Sequence, residues 1–441
     1  LFLIQKTVFP ARFTQMMNYL NTLEFAKEQD ETDVLKSFRQ KFYFPQLNGK
    51  DVIYFTGNSL GLQPKSTQDY ILNELEDWAS FGVEGHFHAR KPWMPYHEQF
   101  AQPLATLVGA KPEEVVAMNQ LTVNLHLLLI SFYRPTKKRF KILCEAKAFP
   151  SDQYALESQV RLHGLDPDTT LVEVAPRAGE DCIREEDILS AIDTHKNELA
   201  LVLIGGVNYY TGQVFDMKGI TTAGHQAGAT VGFDLAHAAG NIALHLHDWN
   251  VDFACWCSYK YLNSGPGSVA GAFVHERHLK NKDLIRLAGW WGHDKATRFQ
   301  MNKGFDPMQT AEAWQISNAP VLSMAAHKAA LDIFMEAGLD RLTEKSRRLT
   351  GYLEFVLDTV NASLAESEPK LKIITPRNPK QRGCQISLVA QGRGKDLFNK
   401  LTAAGVLSDW REPNVIRCAP IPLYNTFEDV YRFGEILTQA L

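Results

Sequence analysis

The sequence predicts an α/β protein: a large domain with a mainly parallel sheet flanked by helices, followed by a smaller C-terminal α/β domain. Three observations carry this expectation. Between Lys141 and Val274 short β-rich runs alternate with helical patterns, the signature of βαβ units around a buried sheet. After a helical stretch near residues 319–360, a fresh strand and helix pattern begins. The chain has 441 residues, 45% hydrophobic and 22% charged, which is a globular composition with length for two domains rather than one.

In chain order, KILCE (141–145) and TTLVEVAP (169–176) read as strands, REEDILSAIDTHKNE (184–198) as a helix, and LALVLIGGV (199–207) as a buried strand. MKGITTAGHQAGA (217–229) is helical and TVGFDLAH (230–237) begins as a strand. DFACWCSYKY (252–261) and VAGAFVH (269–275) flank the turn-forming NSGPG and are expected to be adjacent strands. Beyond residue 360 come KLKIITP, GCQISLVA, the helix GKDLFNKLTAAG, VLSDWR, VIRCAP and the terminal helix TFEDVYRFGEILTQAL. The expected division is an N-terminal segment over 1–50, a large domain over 51–335 and a small domain over 336–441, with Glu366 to Lys370 as a candidate connector. Met16 and Met17 offer natural starts, so residues 1–15 are expected to be upstream sequence. LFLIQK lacks the basic region of a signal peptide.

Charge excludes some partners. With 46 Lys+Arg against 50 Asp+Glu, the net charge is −4, which gives no reason to expect nucleic acid or an anionic membrane. No apolar run approaches the ~18 residues of a membrane span. Six dispersed cysteines suit a reduced, cytoplasmic protein. The single-residue spacing in Cys255-Trp256-Cys257 favours packing over zinc, and no metal is expected.

The richest stretch is FDLAHAAGNIALHLHDWNVDFACWCSYKYLNSGPG, Phe233 to Gly267. Asp234 ends a hydrophobic strand, His237 follows three residues on, and Lys260 stands before a glycine-rich turn. Singly, these residues read as a turn aspartate, a core histidine and a strand-end lysine. Together, at C-terminal strand ends where α/β proteins gather ligands, they fit pyridoxal 5′-phosphate (PLP). That cofactor needs a lysine amine to bond its aldehyde and a carboxylate to keep its ring nitrogen protonated.

Residues 233–267, with YFTGNSLGLQPKS (54–66) and RCAPIPLYNTFEDVYRF (417–433), resemble the kynureninase family, and the likeness spans nearly all of the chain after about residue 40. The resemblance implies the aspartate aminotransferase-like fold type I of PLP enzymes, shared with class V aminotransferases and cysteine desulfurases. It also implies a homodimer with shared active sites and hydrolysis of L-kynurenine or its 3-hydroxy analogue. By that resemblance Lys260 bonds the cofactor, Asp234 pairs with the pyridinium and His237 lies near the phenolic oxygen. Leu121 and Thr122, opening an apolar helix, face the phosphate; read without the family, Thr122 is a helix cap. Phe149 stacks on the ring, with Pro150, Ser151 and Asp152 close by. Tyr259 is expected to bind phosphate and shuttle a proton. Trp290 and Asn318 are expected from the neighbouring subunit. Arg417 should clamp the substrate carboxylate, while Ser59, His86 and Asn318 face the aryl ketone.

Gly205 departs from family members with serine there, which removes one cofactor hydrogen bond. The alternative is a cysteine desulfurase, for which Cys384 in RGCQISL is the candidate nucleophile. Its apolar strand context, and His237 and Tyr259 where desulfurases carry Gln and His, argue against that chemistry. A non-catalytic PLP-like scaffold would be favoured had Lys260, Asp234 or Arg417 been missing, and a nicotinamide dehydrogenase lacks its GxGxxG.

Overall fold

The computed structural model describes residues 18–441, so the expectation for residues 1–15 lies outside the described residues. Helix α1 (Leu23–Glu31) opens where the Thr22 hydroxyl accepts the N–H of Phe25, and α2 (Thr67–Phe81) follows. The central sheet has seven strands: β1 (Val115–Ala117), β2 (Lys141–Glu145), β3 (Leu171–Val174), β4 (Leu199–Gly205), β5 (Thr230–Asp234), β6 (Phe253–Trp256) and β7 (Gly271–Val274). Their spatial order is β1-β7-β6-β5-β4-β2-β3. The pairs from β3 to β6 are parallel, and β7 runs antiparallel to both its neighbours.

Side chains alternate across a strand, and two cores result. Ile142, Cys144, Leu201, Leu203, Phe253 and Cys255 pack on one face with Leu125 and Leu128 of α3 (Leu121–Phe132) and Ala155 and Leu156 of α4 (Pro150–Leu162). Leu143, Val202, Ile204, Val231, Phe233 and Trp256 face the other way, toward Ile188 and Ile192 of α5 (Glu185–Thr194) and Ile220 of α6 (Met217–Gln226). Burial on both faces is why these strands are almost wholly apolar.

The helix expected near residues 319–360 is two helices, α7 (Val321–Ala337) and α8 (Leu339–Ser363). Gly338 separates them at φ +78°, a conformation glycine adopts without Cβ strain. The second sheet orders β8 (Lys372–Ile373), β9 (Ile386–Val389), β10 (Asp409–Arg411) and β11 (Val415–Cys418) as β8-β9-β11-β10, all antiparallel. With α9 (Gly394–Ala403) and α10 (Phe427–Ala440) it encloses a third core. Leu349, Leu353 and Val356 of α8 belong to that core, so Glu366–Lys370 is a loop within the second unit rather than a connector between units. Phe25, Ala26, Ile53 and Phe55 join it as well, and the Asp30 carboxylate accepts the N–H groups of Phe427 and Glu428 at 2.7 and 2.9 Å. Helix α1 thus caps α10.

Candidate active site

Strand β3 lies on one side of β2, and β4 and β5 lie on the other, so the winding direction reverses between β2 and β4. Open α/β sheets bind ligands outside the carboxyl ends of strands at such a point. Here β2, β4 and β5 end in Glu145, Gly205 and Asp234, and all three line one pocket. The same pocket gathers Leu121, Thr122, Phe149, Ser151, Asp152, His237, Tyr259 and Lys260.

Lys260 was expected within a strand, but β6 ends at Trp256 and the lysine stands in the turn that follows. This placement leaves its amine free of the sheet: Nζ lies 3.0 Å from Nε2 of His237 and 5.8 Å from the centre of the Phe149 ring. Gly61 fixes the turn from the opposite side, donating its N–H to the Tyr259 carbonyl at 2.8 Å. A Cβ at Gly61 would sit 2.4 Å from the Lys260 carbonyl and 2.3 Å from Asn263 Oδ1, so only glycine permits the approach.

Electrostatics follow from burial. His237 is held well below the usual histidine range, first by burial and then by Lys260, Arg417 and Arg411, and is therefore neutral. Its Nε2 lies within hydrogen-bond distance of the lysine amine. Asp234 accepts the Ala236 N–H at 2.7 Å. Burial and neighbouring Asp234 push the Asp152 carboxyl well up, which favours its protonated form, and burial raises Asp234 as well, opposed by the Ala236 N–H and Lys260. Glu145 is likewise pushed up to about 8, by burial and by Asp234. Burial also raises the Tyr259 hydroxyl, with Cys257 adding to the effect, so it remains a donor.

The start of α3 differs from expectation. Gln120, in extended conformation, is the N-cap and supplies no side-chain cap; Thr122 is the second helical residue. The N–H groups of the first turn are left without intrahelical acceptors, as an anion site requires. Three buried polar atoms round the pocket, Glu145 Oε2, Asp152 Oδ1 and His237 Nδ1, have no hydrogen-bond partner. A lysine, a carboxylate, an uncapped helix start and these orphan atoms fit a ligand with an aldehyde, a ring nitrogen and a phosphate.

Arg417, on β11, is fully enclosed and donates through Nη1 to the Tyr209 carbonyl at 2.6 Å. Tyr209 itself lines the pocket. Ser59 lies in a turn, its N–H bonded to the Thr56 carbonyl. His86 bonds the Val83 carbonyl through Nδ1 at 2.9 Å. Trp290 donates to the Arg298 carbonyl, and Asn318 and Pro150 are exposed. Neither Arg417 nor any of these other five lines the Lys260 pocket of the single chain. Sequence reasoning missed Glu145 and Tyr209. The first had a signal, since Glu145 closes the apolar run KILCE as Asp234 closes TVGFD. Gly205 lies between them, where a Cβ would press within 3.3 Å of Glu145 Oε1.

The fold is that of PLP-dependent fold type I enzymes. The apo cysteine desulfurase from Thermococcus onnurineus NA1 matches with a TM-score of 0.73 over 88% of this chain and 94% of that one, at 18% identity. The desulfurase CsdA from Escherichia coli matches at 0.72 over 92% and 98%, with 16% identity. Sequence narrows the class: residues 342–437 match the kynureninase C-terminal domain. Kynureninase from Flavobacterium psychrophilum is 59% identical, covering 96% of this chain and 99% of that protein. Those from Myxococcus xanthus and Nematostella vectensis are 56% and 49% identical over 94% and 95% of this chain. The chain belongs to the kynureninase family.

Proposed function

We propose that the Lys260 pocket hydrolyses the Cβ–Cγ bond of L-kynurenine or 3-hydroxy-L-kynurenine, giving anthranilate or 3-hydroxyanthranilate and L-alanine, in tryptophan catabolism and NAD biosynthesis. The observation that carries this reading is the buried meeting of Lys260, His237 and Asp234 at the switch point of the sheet, in a chain of this family. When bound, PLP supplies an electron sink for the substrate carbon that loses its proton.

The residues divide the work. Lys260 bonds the cofactor and is the base for the Cα proton. Asp234 would take the ring nitrogen; Asp152 and Glu145 are pushed toward their protonated forms, and the Ala236 N–H and Lys260 oppose the rise that burial causes in Asp234. The first turn of α3, with Leu121 and Thr122, would hold the phosphate, and Phe149 and Ser151, which line the pocket, would hold the ring, with Pro150 beside them in the chain. Tyr259, kept protonated, donates to phosphate or to the oxygen that gains charge during water attack. Arg417 binds the α-carboxylate, and Ser59, His86 and Asn318 receive the aryl end.

A second copy of the chain completes the site through Trp290 and Asn318, which stand outside their own pocket. Support comes from α2, where Leu72, Leu75 and Trp78 share one helical face at three-residue spacing and are all exposed. The six cysteines are unpaired, which suits the cytoplasm, and among the described residues no helix is long and apolar enough to cross a membrane.

The test is steady-state turnover of both substrates, following the aryl products and alanine, with Lys260→Ala as control. Turnover that is lost in the variant supports the assignment. A yellow, borohydride-bleached protein that turns over neither substrate overturns it and brings forward the desulfurase assay.

A further inference from the structure

The enclosed Arg417 guanidinium is only partly used. Nη1 is spent on the Tyr209 carbonyl, Nη2 stands 2.7 Å from Asp409 Oδ2 but out of line for a hydrogen bond, and Nε has no partner. Asp409 lies directly across the ladder from Arg417. Two residues on, hence on the same face of β10, Arg411 brings Nη2 to 3.3 Å from the same Asp409 oxygen, and its Nε is buried without an acceptor.

One carboxylate therefore serves two guanidiniums, whose side chains are 0% (Arg417) and 35% (Arg411) exposed, with Asp409 at 9%. The cluster carries one uncompensated positive charge in a place where such a charge is costly. Neither arginine lines the Lys260 pocket, but Tyr209, whose carbonyl Arg417 holds, does; each cation also opposes the rise that burial causes in the Tyr209 hydroxyl and adds to the effect of burial and Lys260 in keeping His237 neutral. A monoanion bound between them would complete the charge balance, and a carboxylate matches the paired N–H groups of guanidinium.

We propose that Arg411 is a second arginine for the α-carboxylate of the amino-acid substrate, and that Asp409 is the positioning residue that holds Arg411 and Arg417 together. This rests on the reading of Arg417 given above and extends it to a residue whose exposure and sequence place resemble those of an ordinary surface arginine.

The experiment titrates the PLP-loaded enzyme with L-alanine and with L-alaninamide, which lacks the negative charge, and reads each dissociation constant from the cofactor absorbance. Arg411→Ala is expected to weaken L-alanine about tenfold, the scale of one charge-assisted contact, and to leave L-alaninamide unchanged. Equal weakening of both ligands, or of neither, overturns the role of Arg411. Asp409→Asn is expected to lower the same preference for the carboxylate, and an unchanged preference overturns its positioning role. Arg417→Lys separates the two levels. If it leaves the preference intact, the reading of Arg417 falls; if it lowers the preference while Arg411→Ala does not, only the present inference falls.

Discussion

Lys260 and His237 meet at 3.0 Å, the lysine amine against the imidazole Nε2, while Nδ1 of the same ring is buried without a partner. Both line one pocket with Asp234, which lies in its floor. The floor has three carboxyl groups, of which Asp152 and Glu145 are pushed toward their protonated forms. Burial raises Asp234 too, but the Ala236 N–H and Lys260 oppose that rise, which favours Asp234 as the one to carry charge.

Asp234→Ala is therefore expected to bind cofactor more weakly and, once loaded, to lose about two orders of magnitude or more in kcat, the range carried by a single electrostatic group in a closed site. Absorbance gives the loading and product formation gives the rate. Full turnover by a fully loaded variant would remove Asp234 from the mechanism.

Gly61→Ala places a methyl group against the Lys260 carbonyl and Asn263. Overpacking of this kind costs about 1–3 kcal/mol, and the backbone that yields is the one carrying the lysine. A lowered melting temperature together with a reduced kcat is the expected pair of results. A melting change with unaltered kcat would show that the loop, not the lysine, gives way.

Cys384 is fully buried and its thiol is pushed up to about 12 by burial, so it holds almost no thiolate at neutral pH. Cys384→Ala should retain kynurenine turnover within about twofold, whereas a sulfur-transferring cysteine cannot be spared. Assaying the variant for anthranilate distinguishes the two.

His327, on α7, is buried against Phe100, has no partner at either ring nitrogen, and is pushed down to about 4 by burial. The folded chain keeps it neutral while the unfolded chain protonates it near pH 6.5, so its share of stability declines as pH falls from 6.5 toward 4. The slope is about 1.4 kcal/mol per pH unit. Asp30, pushed up to about 6, titrates with the opposite sign in this range, so the comparison must be with a variant. His327→Leu should gain on the parent in denaturant unfolding as the pH is lowered. A constant difference between them would show that the parent's His327 does not stay neutral.

The part of the site written into one stretch of chain was legible in the sequence. Asp234, His237 and Lys260 lie within residues 233–267, and their spacing survives folding because β5 and β6 are adjacent parallel strands. Asp409 and Arg411 were not legible, because their meaning comes from a register that sets Asp409 opposite Arg417. The single helix expected over 319–360 failed at Gly338, which apolar periodicity alone does not reveal. Thr122 was read as a cap from its residue type, yet the backbone turns helical one residue before it.

The capping of Phe427 and Glu428 by Asp30, 397 and 398 residues earlier, sets an order on synthesis. Domains assemble as the chain emerges, amino end first. Every strand of the central sheet, with Asp234 and Lys260, lies before residue 275 and is synthesised well before α10, the helix that α1 caps. The carboxyl groups of the pocket floor are thus synthesised before Arg411 and Arg417, and a chain stalled before Phe427 would carry Lys260 without the helix that closes the third core.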